Sequence, residues 1–304
     1  MVAPRPPGLK LALLPAQLLA LLLAGGVLAG CSDTPPTARP EPSPSRSTQE
    51  KSPEPTGPTG TTEPTEPAER FDTWEVGASP LPLRADGFGQ VLRTPRELRV
   101  RRLRTVDVLP PPTSDRFEGS VHPVTPAFVR RTRLAWSPGC PVPLDELREL
   151  RLSFVGFDGE RHTGQMVVNA SVADDVVEVF RTLHDARFPI EEMRLVTQAD
   201  LDAPPTGDGN NTAAYACRPS VGTTSWSAHA YGLAVDLNPF NNPYTKGDLV
   251  LPELASAYTD RSWRRPGMIH PDGVVVRAFE QVGWTWGGTF RSVSDLHHFS
   301  ADGR

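Results

Sequence analysis

Residues 32–69 most constrain what this chain can fold into. They read as Pro, Thr, Ser, Glu and Gly, as in PTGPTGTTEPTEP, with almost no large apolar side chains. Such a stretch cannot bury enough apolar surface to offset the entropy of ordering, so it is expected to stay extended. Any sizeable folded core must be built from the residues beyond 69. Of the 304 residues, 38% are hydrophobic and 22% charged, enough for one sizeable domain or two small ones plus tails. A formal net charge of −5 argues against nucleic acid as the main partner, since a phosphate-binding surface needs a basic excess.

Before that stretch lies a targeting pattern. Arg5 and Lys10 precede an apolar run over 11–30, which ends in small residues before Cys31. The pattern resembles a bacterial lipoprotein signal, cut before a cysteine that then carries lipid. A plain secretory signal or an uncleaved anchor are the other readings, since the run is near the roughly 20 residues that span a bilayer. Each places the body of the protein outside the cytoplasm. A lipidated Cys31 leaves Cys140 and Cys217 as one pair in an oxidising compartment. Two buried free thiols are the bland alternative. No C-x-x-C spacing exists for a cysteine-held zinc.

The expected organisation is a lipoprotein signal over 1–31, a tether over 32–70, an extension packing on the domain over 71–135, and the main domain over 136–304. Arginine-dense 98–108 predicts a strand with one solvated basic face, because Leu98, Val100 and Leu103 fall near alternating positions. Strands at 147–157 and around 165–169 predict a hairpin turning at Asp158-Gly159. Ser171 starts a helix, with Asp174 three residues on in capping-box fashion. Val172, Val176, Val179, Phe180 and Leu183 form its buried stripe. Residues 193–197 read as a strand, 200–211 as a polar loop, 233–237 as a buried strand, 273–283 as a helix ending at Gly283, and 284–286 as a strand. Hairpins among irregularly alternating elements indicate α+β.

Chemistry concentrates in SWSAHAYGLAVDLNP (225–239). His229 and Asp236 are separated by small residues, Ala230, Gly232 and Ala234. Zinc hydrolases use three ligands from His and Asp or Glu, with water in the fourth position. His229, Asp236 and one of His297 or His298 supply that set. Asp295 precedes His298 by three residues and is the candidate general base. Arg218 offers a cation for a substrate carboxylate or a developing oxyanion. Singly, each of these is more often a structural residue; ligand types, order and an exported setting agree only together. A serine hydrolase built on Ser227 lacks the G-x-S-x-G elbow.

Ser227, His229, Gly232, Ala234 and Asp236 match S-x-H-x-x-G-x-A-x-D, and with DLHHF (295–299) the chain resembles the VanY-like D-alanyl-D-alanine carboxypeptidase family of zinc peptidases. CRP (217–219), DLNP, NNPY and GWTWGG (283–288) extend the likeness over roughly 136–300, with weaker likeness back to about 81. The resemblance implies zinc on His229, Asp236 and His298, and Asp295 as catalytic base. It implies Arg218 as a contact to substrate or transition state, Ser227 as shaping the ligand loop, and His297 as a neighbour or substrate contact. It also implies a hedgehog and D-Ala-D-Ala peptidase-like fold, with a small antiparallel sheet and flanking helices. Peptidoglycan stem peptides are the implied substrate, cut at D-Ala-D-Ala or at L-Ala-D-Glu. Many members carry Glu where this chain has Ser300, which predicts a local hydrogen-bond change. A monomer tethered to the membrane is expected. The competing function is a non-catalytic zinc-containing domain that binds muropeptide or a partner protein.

Overall fold

Nine-residue strands β2 (Leu147–Val155) and β3 (Arg161–Asn169) form the hairpin on which the fold is built. They pair antiparallel from Leu147↔Asn169 to Val155↔Arg161, and Gly159 makes the turn at φ +78°. β1 (Gly119–Pro123) adds an antiparallel edge to β2, so the extension supplies part of the sheet. This computed structural model describes residues 73–220 and 222–304. The apolar run, Cys31 and the 32–70 tether lie outside the described residues. No helix among those described is long and apolar enough to cross a membrane.

Strand alternation buries both faces of the hairpin. Leu150, Leu152, Phe154, Met166 and Val168 enter the main core, whereas Leu147 and Val167 enter a second one with Phe128, Leu134 and Tyr215. α1 (Pro126–Thr132), which brings Phe128, is capped by Thr125. Helix α2 (Ala173–Asp185) lays Val176, Val179, Phe180 and Leu183 on the main core, the stripe its spacing predicts. Its entry differs from expectation. A 3-10 turn at Ala170–Val172 precedes it, and Asn169 rather than Ser171 caps that turn, accepting from Ser171 N. Asparagine already lies at the end of β3 with its side chain in reach, so no capping box forms at Ser171.

α3 (Gln198–Asp202) carries a true capping box, Thr197 with Asp200, inside what reads as loop. Residues 193–197 form no strand; only isolated bridges join Leu134 to Thr197 and Glu192 to Asn211. Two further three-stranded antiparallel sheets complete the α+β fold. One has the order β4 (Ala234–Asp236), β9 (His298–Ser300), β7 (Thr285–Trp286); the other is β6 (Leu249–Leu251), β5 (Tyr244–Lys246), β8 (Ser294–Asp295). Helix α4 (Val274–Gln281) closes the main core, with Gly283 at φ +81° beyond its end.

The extension upstream of β1 is a strap, not a strand. Residues 98–108 make no ladder, and Arg101 is 2% exposed rather than solvated. Its guanidinium meets Glu191 through two 2.6 Å bonds and lies 4.3 Å over the Phe240 ring. Leu98 and Leu103 do bury, against Phe240, Leu254 and Tyr258, and Val100 faces solvent. Burial therefore does not follow the expected alternation: Leu98 and Leu103 are buried, Val100 is not, and the arginine between them has a buried partner far along the chain.

Candidate metal centre and cleft

Each part of the first motif has a structural reason. Ser227 caps a 3-10 turn, Ala228–Tyr231, and accepts from His229 N at 3.3 Å. That turn fixes the ring of His229. Gly232 ends it at φ +68°, and a Cβ there would lie 2.5 Å from the backbone nitrogen of Asn169. Both the left-handed conformation and the close approach to β3 exclude other side chains. Ala234, fully buried, starts β4, and Asp236 ends it.

The second motif arrives by strand pairing. Asp236 and His298 are direct cross-strand partners of β4 and β9. Neighbouring Phe299 stacks on Phe279, with ring centroids 4.0 Å apart, and on Trp286, whose Nε1–H donates to Leu296 O. Burying one such ring stabilises by about 1.5–3 kcal/mol, and here it fixes the strand that carries His298. Gly287 has no room for a Cβ, which would meet Asp295 O at 2.6 Å. Ser300 is fully buried and its hydroxyl has no hydrogen-bond partner among the described residues.

Three donor atoms converge: His229 Nε2, Asp236 Oδ1 and His298 Nδ1, separated by 3.2, 3.1 and 3.0 Å. A tetrahedral centre with ligands at about 2.0–2.1 Å places its ligand atoms about 3.3 Å apart. The triangle fits such an ion closely. The outer nitrogens agree: His229 Nδ1–H donates to Ala214 O at 2.5 Å and His298 Nε2–H to Arg304 O at 2.8 Å. With the outer N–H groups so engaged, the inner nitrogens offer lone pairs to an ion once its proton is displaced, the usual support for a ligating imidazole.

Electrostatics point the same way. Burial disfavours the Asp236 anion, but the charges of His229 and His297 and hydrogen bonds from His229 and His298 outweigh it and hold its carboxyl well below the ordinary range. Burial likewise disfavours the His298 cation; its hydrogen bond to Asp236 and the charges of Asp236 and Asp295 prevail and push it up to about 9. The centre is thus a negatively poised pocket that holds a proton where a cation fits.

His297 stands beside the triangle. Its Nδ1–H donates to Asn242 O at 2.7 Å, and Nε2 lies 3.1 Å from Asp295 Oδ1 and 3.7 Å from Asp236 Oδ2. Asp295 Oδ1 makes no well-aligned hydrogen bond despite that contact, and the side chain is 17% exposed. A cleft of about 580 Å³ opens over these groups. Arg218 lines it; among the described residues its side chain reaches only Pro219 O and no carboxylate. Its neighbour Cys217 is bonded to Cys140, 77 residues away, so the expected pair forms. Closing a loop of that length contributes about 2–4 kcal/mol.

Gly207, Gly209 and, at the start of β5, Tyr244 line the cleft. Burial, and then the charge of Asp295, raise the Tyr244 phenol. Sequence reading missed Glu253 and Phe290, which also line the cleft and stand in no motif. His162, by contrast, is not part of it; it is buried between Asp107 and Asp158.

Residues 221–301 match the family model described as D-alanyl-D-alanine carboxypeptidase. The likeness to that peptidase family is carried by this stretch. The matched segment holds Ser227, His229, Asp236, Asp295, His297 and His298, while Arg218 and the strap fall before it. No curated protein and no solved structure matches the chain.

Proposed function

We propose that this peptidase domain is a zinc enzyme that hydrolyses peptidoglycan stem peptides outside the cytoplasm. The carrying observation is that β4–β9 pairing and the Ser227-capped turn bring three ligand atoms to within 3.2 Å of one another, with the Asp295 carboxylate lining the same cleft. His229, Asp236 and His298 hold the ion. When bound, zinc polarises the scissile carbonyl and lowers the pKa of its water from 15.7 to about 7.

The chain's own groups do the rest. Asp295 accepts the proton of the attacking water and delivers it to the departing amine, so one carboxylate serves both steps. His297, tied to Asn242 O, keeps that carboxylate in place. Arg218, without a carboxylate partner among the described residues, pairs with the substrate's carboxylate or the developing oxyanion. The ligand nitrogens keep their orientation through Ala214 O and Arg304 O. Cys31 is the proposed lipid attachment point, with 32–70 as the tether.

The test is mass spectrometry of muropeptides incubated with the zinc-loaded protein. Loss of one terminal alanine identifies a carboxypeptidase, and release of a larger stem fragment an endopeptidase. Unchanged muropeptides with a full complement of zinc would leave a binding module instead.

A further inference from the structure

Glu253 is a carboxylate the peptidase motifs do not use. It lines the same cleft as Arg218 and Asp295 and is 4% exposed. Its Oε1 accepts from Gly89 N at 2.8 Å; among the described residues its second oxygen has no hydrogen bond and no cation pairs with it. A buried carboxylate held by one amide is poorly compensated.

The strap is what sets it there. Leu81 N donates to Pro205 O, Leu92 N to Glu253 O, and Thr94 Oγ1 to Leu254 O. Trp74 Nε1 donates to buried Asp208, whose neighbours Gly207 and Gly209 line the cleft. Fit is close: a Cβ on Gly89 would fall 2.7 Å from Glu253 Oε1 and 2.9 Å from Leu81 Cδ1.

The other charges on the cleft are engaged. Asp236 sits among histidines, Asp295 touches His297, and Arg304 pairs with Asp302. Arg218 and Glu253 remain, one of each sign. That pair is complementary to a ligand bearing a carboxylate and an ammonium group.

We propose that Glu253, positioned by the strap, is a specificity determinant that takes an ammonium group of the peptide substrate. This rests on the peptidase reading of the cleft. An ammonium can come from a diamino side chain or from the peptide's N-terminus, and both share the chemistry of a charge-assisted hydrogen bond.

Calorimetry with a stem pentapeptide carrying lysine at its third position separates them. Binding is measured on the zinc-loaded full chain in an Asp295→Ala background, which leaves the peptide intact, against twins acetylated at the side-chain or at the terminal amine. Masking the recognised amine is expected to weaken binding ~10- to 100-fold, and the masked amine names the source. That ratio should fall to about 1 in Glu253→Gln, which keeps the acceptor for Gly89 N, and lie between in Glu253→Asp. No penalty from either mask, or a penalty that persists in Glu253→Gln, overturns the proposal. Turnover does not enter this readout. Discrimination without hydrolysis by the Asp295 protein sinks the peptidase reading alone, and hydrolysis without discrimination sinks this one alone.

Discussion

The candidate metal centre and the strap solve opposite problems. In the centre, ligands come from short stretches whose spacing is set by local geometry: a capped 3-10 turn, a glycine at φ +68°, and a three-residue strand paired to another. In the strap, the polar contacts that fix it to the domain reach far along the chain. Arg101 meets Glu191 90 residues on, Trp74 meets Asp208 134 residues on, and Gly89 meets Glu253 164 residues on. A site built from local geometry writes itself into a motif. A wall built from long-range contacts does not.

Changes to the centre should therefore remove function outright. His298→Ala is expected to abolish both zinc binding and hydrolysis, because the Asp236 cross-strand partner disappears. His297→Ala should retain zinc, with activity down about 10–100-fold, the usual loss for a residue that supports a metal site from outside it. Metal analysis and muropeptide turnover of the two variants read this contrast; the reverse pattern would reassign the third ligand.

Changes to the strap should act on stability first. Among the described residues, Arg101→Ala leaves buried Glu191 with only Asn210 Nδ2 at 2.9 Å to compensate, a loss of about 3–5 kcal/mol for a broken buried pair. Denaturant unfolding measures it, and the surviving folded protein should still bind one zinc. If Arg101→Ala unfolds at the wild-type midpoint, the strap is not an integral part of the fold.

The smallest effect is a proton. In metal-free protein His298 is raised to about 9, above its unfolded value of about 6.5. Its stabilising contribution is fully present below pH 6.5 and lost as pH rises through about 9. Zinc must displace the same proton, so affinity should rise about tenfold per unit from pH 7 toward 9 and then level off. Chelator competition across that range checks the slope; a flat profile would contradict the raised pKa.

These differences explain what can be read from sequence. The Asp-x-x-His spacing favours His298 over His297, and the structure gives the reason: His298 lies opposite Asp236 in β9. The β2–β3 hairpin and the α2 and α4 stripes are legible because apolar periodicity is local. Arg101 reads wrongly because nothing near it signals Glu191, and a charged residue between leucines ordinarily faces solvent. The strand expected over 193–197 fails for a related reason. The segment finds only a single bridge, Leu134 to Thr197, and no partner strand among the described residues. Glu253 carries no signal at all, since its setting depends on Gly89 of the strap.

In the proposed mechanism one carboxylate performs the proton transfers while three other residues hold the ion. The most direct test measures zinc content and muropeptide hydrolysis side by side in wild type, Asp295→Ala and His229→Ala. Asp295→Ala should keep its zinc and lose at least ~10²-fold in rate, the scale of a general base, whereas His229→Ala should lose both. Equal turnover by wild type and Asp295→Ala would contradict the account.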